Sequence, residues 1–255
     1  MTLIVRDEAD VLEANLRVHR ALGVDAFAVL DNGSTDGTAD ILERWSRAGL
    51  AHVTTDAEAG PAEIFRRWQT RLAATATEEL GADWLIHNDA DEFWWPLEGN
   101  LRDVFGTIPD GTNGILAPRF EFVPRPGDGP WWERLTVRER RATVRPKLAH
   151  RAGADVRVGP GSHHVVSDSL GLEPTAGRPS LRGLRRRPEQ PRLIAPAASF
   201  PLAIWHLPLR SFEQYRQRLE IGLRIAGSTG APALAERISA TLDEETARAR
   251  WADVV

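Results

Sequence analysis

The chain has 255 residues, 42% of them hydrophobic and 27% charged, and no cysteine. That is enough apolar material for a packed core, and the missing thiols exclude disulfides, thiolate zinc sites and cysteine nucleophiles. Lys and Arg total 32 against 36 Asp and Glu, and the net charge of −4 argues against a nucleic-acid partner.

At ~100–200 residues per domain, the length fits one large domain. No run nears the ~20 apolar residues of a membrane span. Thr2-Leu3-Ile4-Val5 meets Arg6-Asp7-Glu8 at once, unlike a secretory leader. A cytoplasmic protein without a transmembrane segment is expected.

The first half alternates apolar runs with helical patterns. Leu3 to Val5 reads as a strand, and Val11, Leu12 and Leu16 recur at helical spacing before the stop at Gly23. Ala26 to Leu30 is a second strand, closed by the turn-rich Asp31-Asn32-Gly33-Ser34-Thr35-Asp36-Gly37. Ile41, Leu42 and Trp45 mark a second helix, Ala51 to Thr55 a third strand, Ala62 to Leu80 a long helix and Trp84 to His87 a fourth strand. Four strands separated by three helices predict right-handed βαβ units and an α/β fold with a mainly parallel sheet.

Beyond about residue 100, prolines punctuate short strand-like pieces: Gly114 to Phe122, Leu135 to Val137 and Val156 to Val158. This half is expected to be mixed or antiparallel. Gly171 to Ala198, rich in Pro, Gly and Arg, reads as a long flexible loop. A helix restarts at Ser211, where Ser211 and Gln214 suit a capping box. The expected organisation is one domain: a ligand-binding half over 1–96, a second half over 97–206 and C-terminal helices over 207–255.

In an open parallel sheet, ligands bind beyond the carboxyl ends of the strands. The polar segments there are Arg6-Asp7-Glu8, Asp31-Asn32-Gly33-Ser34, Asp56 and Asn88-Asp89-Ala90-Asp91. No G-x-G-x-x-G or G-x-x-x-x-G-K-[ST] is present, so neither dinucleotide nor P-loop chemistry is indicated. An acidic rim can hold phosphate only through a metal ion, and acidic side chains can also read ribose hydroxyls or base N–H groups. In an extended segment Asp89 and Asp91 point the same way, making a hard oxygen site suited to Mg²⁺ or Mn²⁺ with substrate phosphates completing the shell. Asp36 suits a helix cap whatever the function.

Together, Arg6-Asp7-Glu8-Ala9-Asp10-Val11-Leu12-Glu13, Asp31-Asn32-Gly33-Ser34-Thr35-Asp36-Gly37-Thr38 and Asp89-Ala90-Asp91-Glu92-Phe93 resemble the family 2 glycosyltransferases. The three motifs lie in order over roughly the first 96 residues. A weaker match is Trp205-His206-Leu207-Pro208-Leu209-Arg210-Ser211, similar to the family's late H-x-x-x-x-S segment. The resemblance implies a GT-A fold, a nucleoside-diphosphate sugar donor (UDP- or GDP-linked), a hydroxyl acceptor, Mn²⁺ or Mg²⁺, and inversion at the anomeric carbon. It implies that Asp31 and Asn32 meet the base, that Arg6 and Glu8 border the nucleoside, that Asp89 lies near ribose and metal, and that Asp91 coordinates the metal, with His206 as a further ligand.

Glycosyl transfer loads negative charge on the departing diphosphate, which a dication stabilises, and the acceptor hydroxyl needs a base. Glu121, Asp128, Glu133 and Asp168 are the base candidates. Glu121 is favoured because Gly114 to Phe122 would floor the acceptor site. His163, His164, Lys147 and Arg145 are candidates for the diphosphate. Of the pairs Trp94-Trp95 and Trp131-Trp132, at least one is expected near an acceptor sugar. The alternatives are a degenerate nucleotide-sugar binder and a haloacid-dehalogenase-like phosphohydrolase, whose D-x-D would follow an N-terminal strand.

Overall fold

Strands and helices alternate through the first part of the chain: β1 (Thr2–Val5), α1 (Ala9–Ala21), β2 (Phe27–Asp31), α2 (Thr38–Arg47), β3 (Ala51–Thr55), α3 (Ala62–Glu78) and β4 (Trp84–Asn88). The computed structural model describes residues 1–58, 62–125, 127, 129–172, 194–195, 199–228 and 232–254. It divides into two units, Met1–Arg119 with Thr143–Ile204, and Phe120–Ala142 with Trp205–Val255.

In the first unit, β1 pairs in parallel with β2 and β4, and β2 with β3. Val5 lies opposite Asp31, so β1 and β2 end level, while Asn88 lies opposite Leu3, so β4 ends two residues earlier. Lys147–Arg151 then runs antiparallel beside β4 and beside Gly114–Ala117. Ile194–Ala195 adds a parallel edge, completing a seven-stranded, mainly parallel sheet. The apolar runs are continuous because central strands are buried on both faces; every residue of β2 is buried. From α3, Trp68, Leu72 and Ala76 pack on Ala28, Leu30, Leu85 and Leu148, each large side chain worth ~1.5–3 kcal/mol of burial.

The sheet corrects three expectations. Gly114 to Phe122 is two strands, Gly114–Ala117 and Arg119–Val123, because Pro118 cannot donate to a ladder. Short strands fall at Val137–Arg138 and Arg157–Val158, one or two residues later than the apolar runs suggest. Within the stretch read as a loop, Ile194–Ala195 is a strand; residues 173–193 and 196–198 lie outside the described residues.

In the second unit, Phe122 and Val123 pair antiparallel with Arg138 and Val137. The C-terminal helices span Phe212–Ser228, Pro232–Ser239 and Glu244–Val254. Ser211 Oγ accepts the Gln214 N–H at 3.1 Å, the expected cap. Tyr215 packs on Trp251, and the Arg248 guanidinium lies 4.3 Å above the Phe212 ring. Among the described residues no helix is long and apolar enough to cross a membrane.

Candidate functional site

The loops after β1 and β2 are laced together. Asp7 sits at φ 53°, a left-handed conformation that Asp tolerates better than most residues. From there Asp7 Oδ1 accepts the Thr35 N–H at 2.6 Å, and the Asp7 N–H donates to Ser34 Oγ at 3.0 Å. The Glu8 N–H reaches Thr38 Oγ1 at 2.9 Å. Asp36 accepts the first free amides of two helices, Ala9 N–H at 3.0 Å and Thr38 N–H at 2.8 Å. Burial works against the Asp36 charge, but these bonds outweigh it and hold the carboxyl below the usual range. Two motifs 25 residues or so apart in sequence are thus one hydrogen-bonded structure.

Asp31 is buried and accepts both the Ser34 N–H at 3.0 Å and the Ser34 hydroxyl at 2.6 Å. Gly33, at φ 68°, makes the turn between them. Asn32 is buried beside it, and its Oδ1 meets no hydrogen-bond partner among the described residues; Asn88 Oδ1, at the end of β4, is in the same condition. Buried acceptors are rarely left unmet, so these two oxygens mark where a donor from outside the chain would fit. With β1 between them, the ends of β2 and β4 lie about 10 Å apart at the usual strand spacing.

The D-x-D segment is a turn, and the extended geometry read from the sequence is corrected here. The Glu92 N–H returns to the Asp89 carbonyl at 3.0 Å, so residues 89–92 reverse direction before β5 (Glu92–Pro96). The two carboxylates differ as a result. Asp91 is buried, whereas the Asp89 side chain is 50% exposed. Asp89 Oδ2 accepts from Lys147 Nζ at 2.8 Å, and Lys147 also meets Glu92 at 3.0 Å. Arg119 joins Glu92 from the other side at 3.0 Å. Glu92 is wholly buried and Lys147 nearly so. Burial alone would lower the Lys147 ammonium, but Asp89 and Glu92 outweigh it and raise it above its ordinary value.

Helix α1 closes the back of this turn. Its buried face carries Val11, Leu12, Asn15, Leu16 and His19. Asn15 Nδ2 donates to the carbonyls of Ala90 and Glu92, both at 2.8 Å. His19 Nδ1 bonds the Asn15 carbonyl at 2.9 Å, and its Nε2 accepts the Trp94 N–H at 3.0 Å. Burial pushes His19 down to about 3, so the ring is neutral. Sequence reading passed over Asn15, His19, Glu92 and Arg119. The signal for the first two was available, as polar residues four apart inside an apolar helical stripe.

The other candidates fall in several places. Arg6 is exposed, with its Nε 3.8 Å from Asp7. Asp56 accepts the Trp68 indole N–H at 2.7 Å, and that bond holds its carboxyl below the usual range. His163 Nδ1 donates to the Pro146 carbonyl at 3.1 Å, and burial lowers its pKa. His164 is exposed and covers Gly159 so closely that a Cβ there would lie 2.0 Å from its Nε2. Arg145 is exposed, while Lys147 is spent on carboxylates. Trp94 is core; Trp131 and Trp132 meet edge to face, with Trp132 62% exposed.

In the second unit, Glu121 and His206 are joined by a hydrogen bond to His206 Nδ1. Glu133 and Asp168 are exposed, and Asp128 lies outside the described residues. Among the described residues no three His, Asp or Glu side chains gather to hold a metal. The donors at the strand end, Asp89 and Asp91, are of the number and kind that Mg²⁺ uses when substrate phosphates and water complete its shell.

No protein-family model matches the chain, and no curated protein does. Among solved structures it is similar to TarS 1–349 of S. aureus in complex with UDP, at 12% identity over 94% of this chain and 70% of that one, with TM-score 0.46. For TarS 1–349 in complex with UDP-GlcNAc the identity is 15% over 59% of this chain, with TM-score 0.40, and the match spans only 44% of that chain. A mycobacterial protein matches at 21% identity over 47% of this chain and 40% of its own, with TM-score 0.33. At this degree of likeness they assign no activity to this chain.

Proposed function

We propose that the chain is a family 2-like, metal-dependent, inverting glycosyltransferase of the GT-A type, moving a sugar from a UDP- or GDP-linked donor to a hydroxyl acceptor. The observation that carries this reading is the grouping of Asp31, Asn32, Asp89 and Asp91 just beyond the carboxyl ends of β2 and β4, the two parallel strands that flank β1, with the buried Asn32 oxygen unmet among the described residues.

On this reading Asn32 Oδ1 accepts from a base N–H, with Asp31, fixed by Ser34, beside it. Asp89 and Asp91 would hold Mn²⁺ or Mg²⁺ at the diphosphate. When bound, the dication supplies charge stabilisation to the departing diphosphate. Lys147 fixes one oxygen of Asp89 and, with Arg119, neutralises Glu92, so fewer uncompensated charges oppose the anionic donor. Glu121, oriented by His206, is the carboxylate assigned to take the acceptor proton.

Calorimetric titration of UDP and GDP, each with Mn²⁺ and with EDTA, tests the reading. Binding that requires Mn²⁺ and is lost in Asp91→Ala is expected. Absence of binding, or binding indifferent to both, would overturn it. The anomeric configuration of a product by NMR decides inversion.

A further inference from the structure

We propose that Asn15 and His19 on α1 are positioning residues: they set the 89–94 turn in the one conformation that presents Asp89 and Asp91 to a metal–diphosphate. The proposal rests on the functional reading above for its ligand, and on the first unit alone for its geometry.

The 89–92 turn has a single internal backbone bond, Glu92 N–H to the Asp89 carbonyl. One bond does not fix a turn that must hold two carboxylates at different depths. The carbonyls of Ala90 and Glu92, on either side of Asp91, both face α1. Asn15 spends its two amide hydrogens on them, one each. Asn88 Nδ2 adds a second donor to the Glu92 carbonyl at 3.0 Å and approaches Asn15 Oδ1 at 3.3 Å. The peptide before Asp91 and the peptide after Glu92 are therefore both held, and Asp91 sits between them.

His19 secures the next step along the chain. Its Nδ1 lies 2.9 Å from both the carbonyl and Oδ1 of Asn15, which are acceptors, so Nδ1 carries the proton. Nε2 is then the acceptor for the Trp94 N–H. The ring also stacks on Phe93 with centroids 5.8 Å apart and planes 18° from parallel. Asn15 and His19 are wholly buried, so no water competes for these bonds. Purely apolar residues would fill the same stripe of α1 and hold the helix on the sheet, but would take the Asn15 donor from both the Ala90 and the Glu92 carbonyls. A polar pair in that stripe serves the turn. Supporting groups of this kind typically govern ligand affinity by 10–100-fold when removed.

The test is Asn15→Ala, with Asn15→Ser as a second variant, since its hydroxyl cannot span both carbonyls. Binding of Mn²⁺ with UDP or GDP is measured beside binding of the nucleoside alone. The expected result is a loss of about tenfold or more for Mn²⁺–nucleotide and unchanged affinity for the nucleoside, which engages the Asp31–Asn32 side. Equal affinity for Mn²⁺–nucleotide in folded variants and wild type would overturn the proposal. Hydrogen exchange at the Glu92 and Trp94 amides gives a ligand-free readout. If wild type binds neither nucleotide, the functional reading falls, and exchange alone decides the clamp: faster exchange in the variants supports it, and unchanged protection overturns it.

Discussion

The Nε2 atoms of His87 and His150 face each other at 2.8 Å in the middle of the sheet, with both rings buried. The ends of this pair define its protons. His150 Nδ1 donates to the Arg151 carbonyl at 2.7 Å, so its Nε2 is an acceptor. His87 then donates through Nε2, and its Nδ1 accepts the Thr2 hydroxyl at 2.7 Å. Both rings are neutral, and there is no place between them for a second proton.

Stability should therefore fall as the pH drops below the ordinary histidine range. Burial lowers His150 to about 4, and burial followed by the charge of its neighbour lowers His87 well below 6.5. The unfolded chain takes up protons near pH 6.5 that the folded chain refuses, so the stabilisation is complete above that value and is lost between about 6.5 and 4. From His150 alone the loss is about 3 kcal/mol by pH 4. Urea denaturation at steps from pH 7 to 4.5 measures it, and a flat profile would count against the neutral pair.

Lys147 and Glu92 form a buried pair whose members are not separately dispensable. Lys147→Met takes one cation from the wholly buried Glu92 and is expected to cost about 3–5 kcal/mol. Adding Glu92→Gln to that variant should recover a large part. A double-mutant cycle of denaturation midpoints reads the coupling, and strict additivity would contradict the geometry.

Asp36→Ala removes one carboxylate that serves the first turns of both α1 and α2. The expected loss is about 1–2 kcal/mol, the range of a strong helix cap. Asp36→Asn, which keeps one acceptor oxygen, should lose less. Thermal unfolding of the two variants side by side gives the comparison, and equal melting temperatures would argue against the shared cap.

On the proposed function, Asn32→Ala should weaken binding of the free nucleoside by about tenfold, the value of one hydrogen bond to a buried group. It should leave the chain's stability almost unchanged, because Oδ1 has no partner among the described residues to lose. Titration with uridine and guanosine checks the first outcome, and thermal unfolding the second.

The first 88 residues were legible because period and punctuation agree there: apolar runs of four or five residues, helical stripes between them, and glycines at the stops. The same reading put Asp31, Asp89 and Asp91 at strand ends. It missed the turn at 89–92 because the alternation argument assumes extended backbone, and nothing local in Asn-Asp-Ala-Asp announces that Glu92 returns to Asp89. Lys147 was read as a phosphate cation because its partners lie 58 and 55 residues away. Glu121 and His206 were assigned separate roles for the same reason, and the structure joins them. Long-range ion pairs leave no periodic trace in a sequence.

The break at Pro118 has a consequence for how such a chain can diversify. Arg119 and Thr143 are joined by a backbone hydrogen bond of 2.8 Å from the Thr143 N–H to the Arg119 carbonyl. Residues 120–142 thus leave the first unit and re-enter it through one closed doorway. That bond closes the excursion just before the Lys147–Arg151 strand begins. A change of length between Val123 and Val137, which leaves Glu121 in place, is therefore expected to keep the strand ends that carry Asp31, Asp89 and Asp91 as they are.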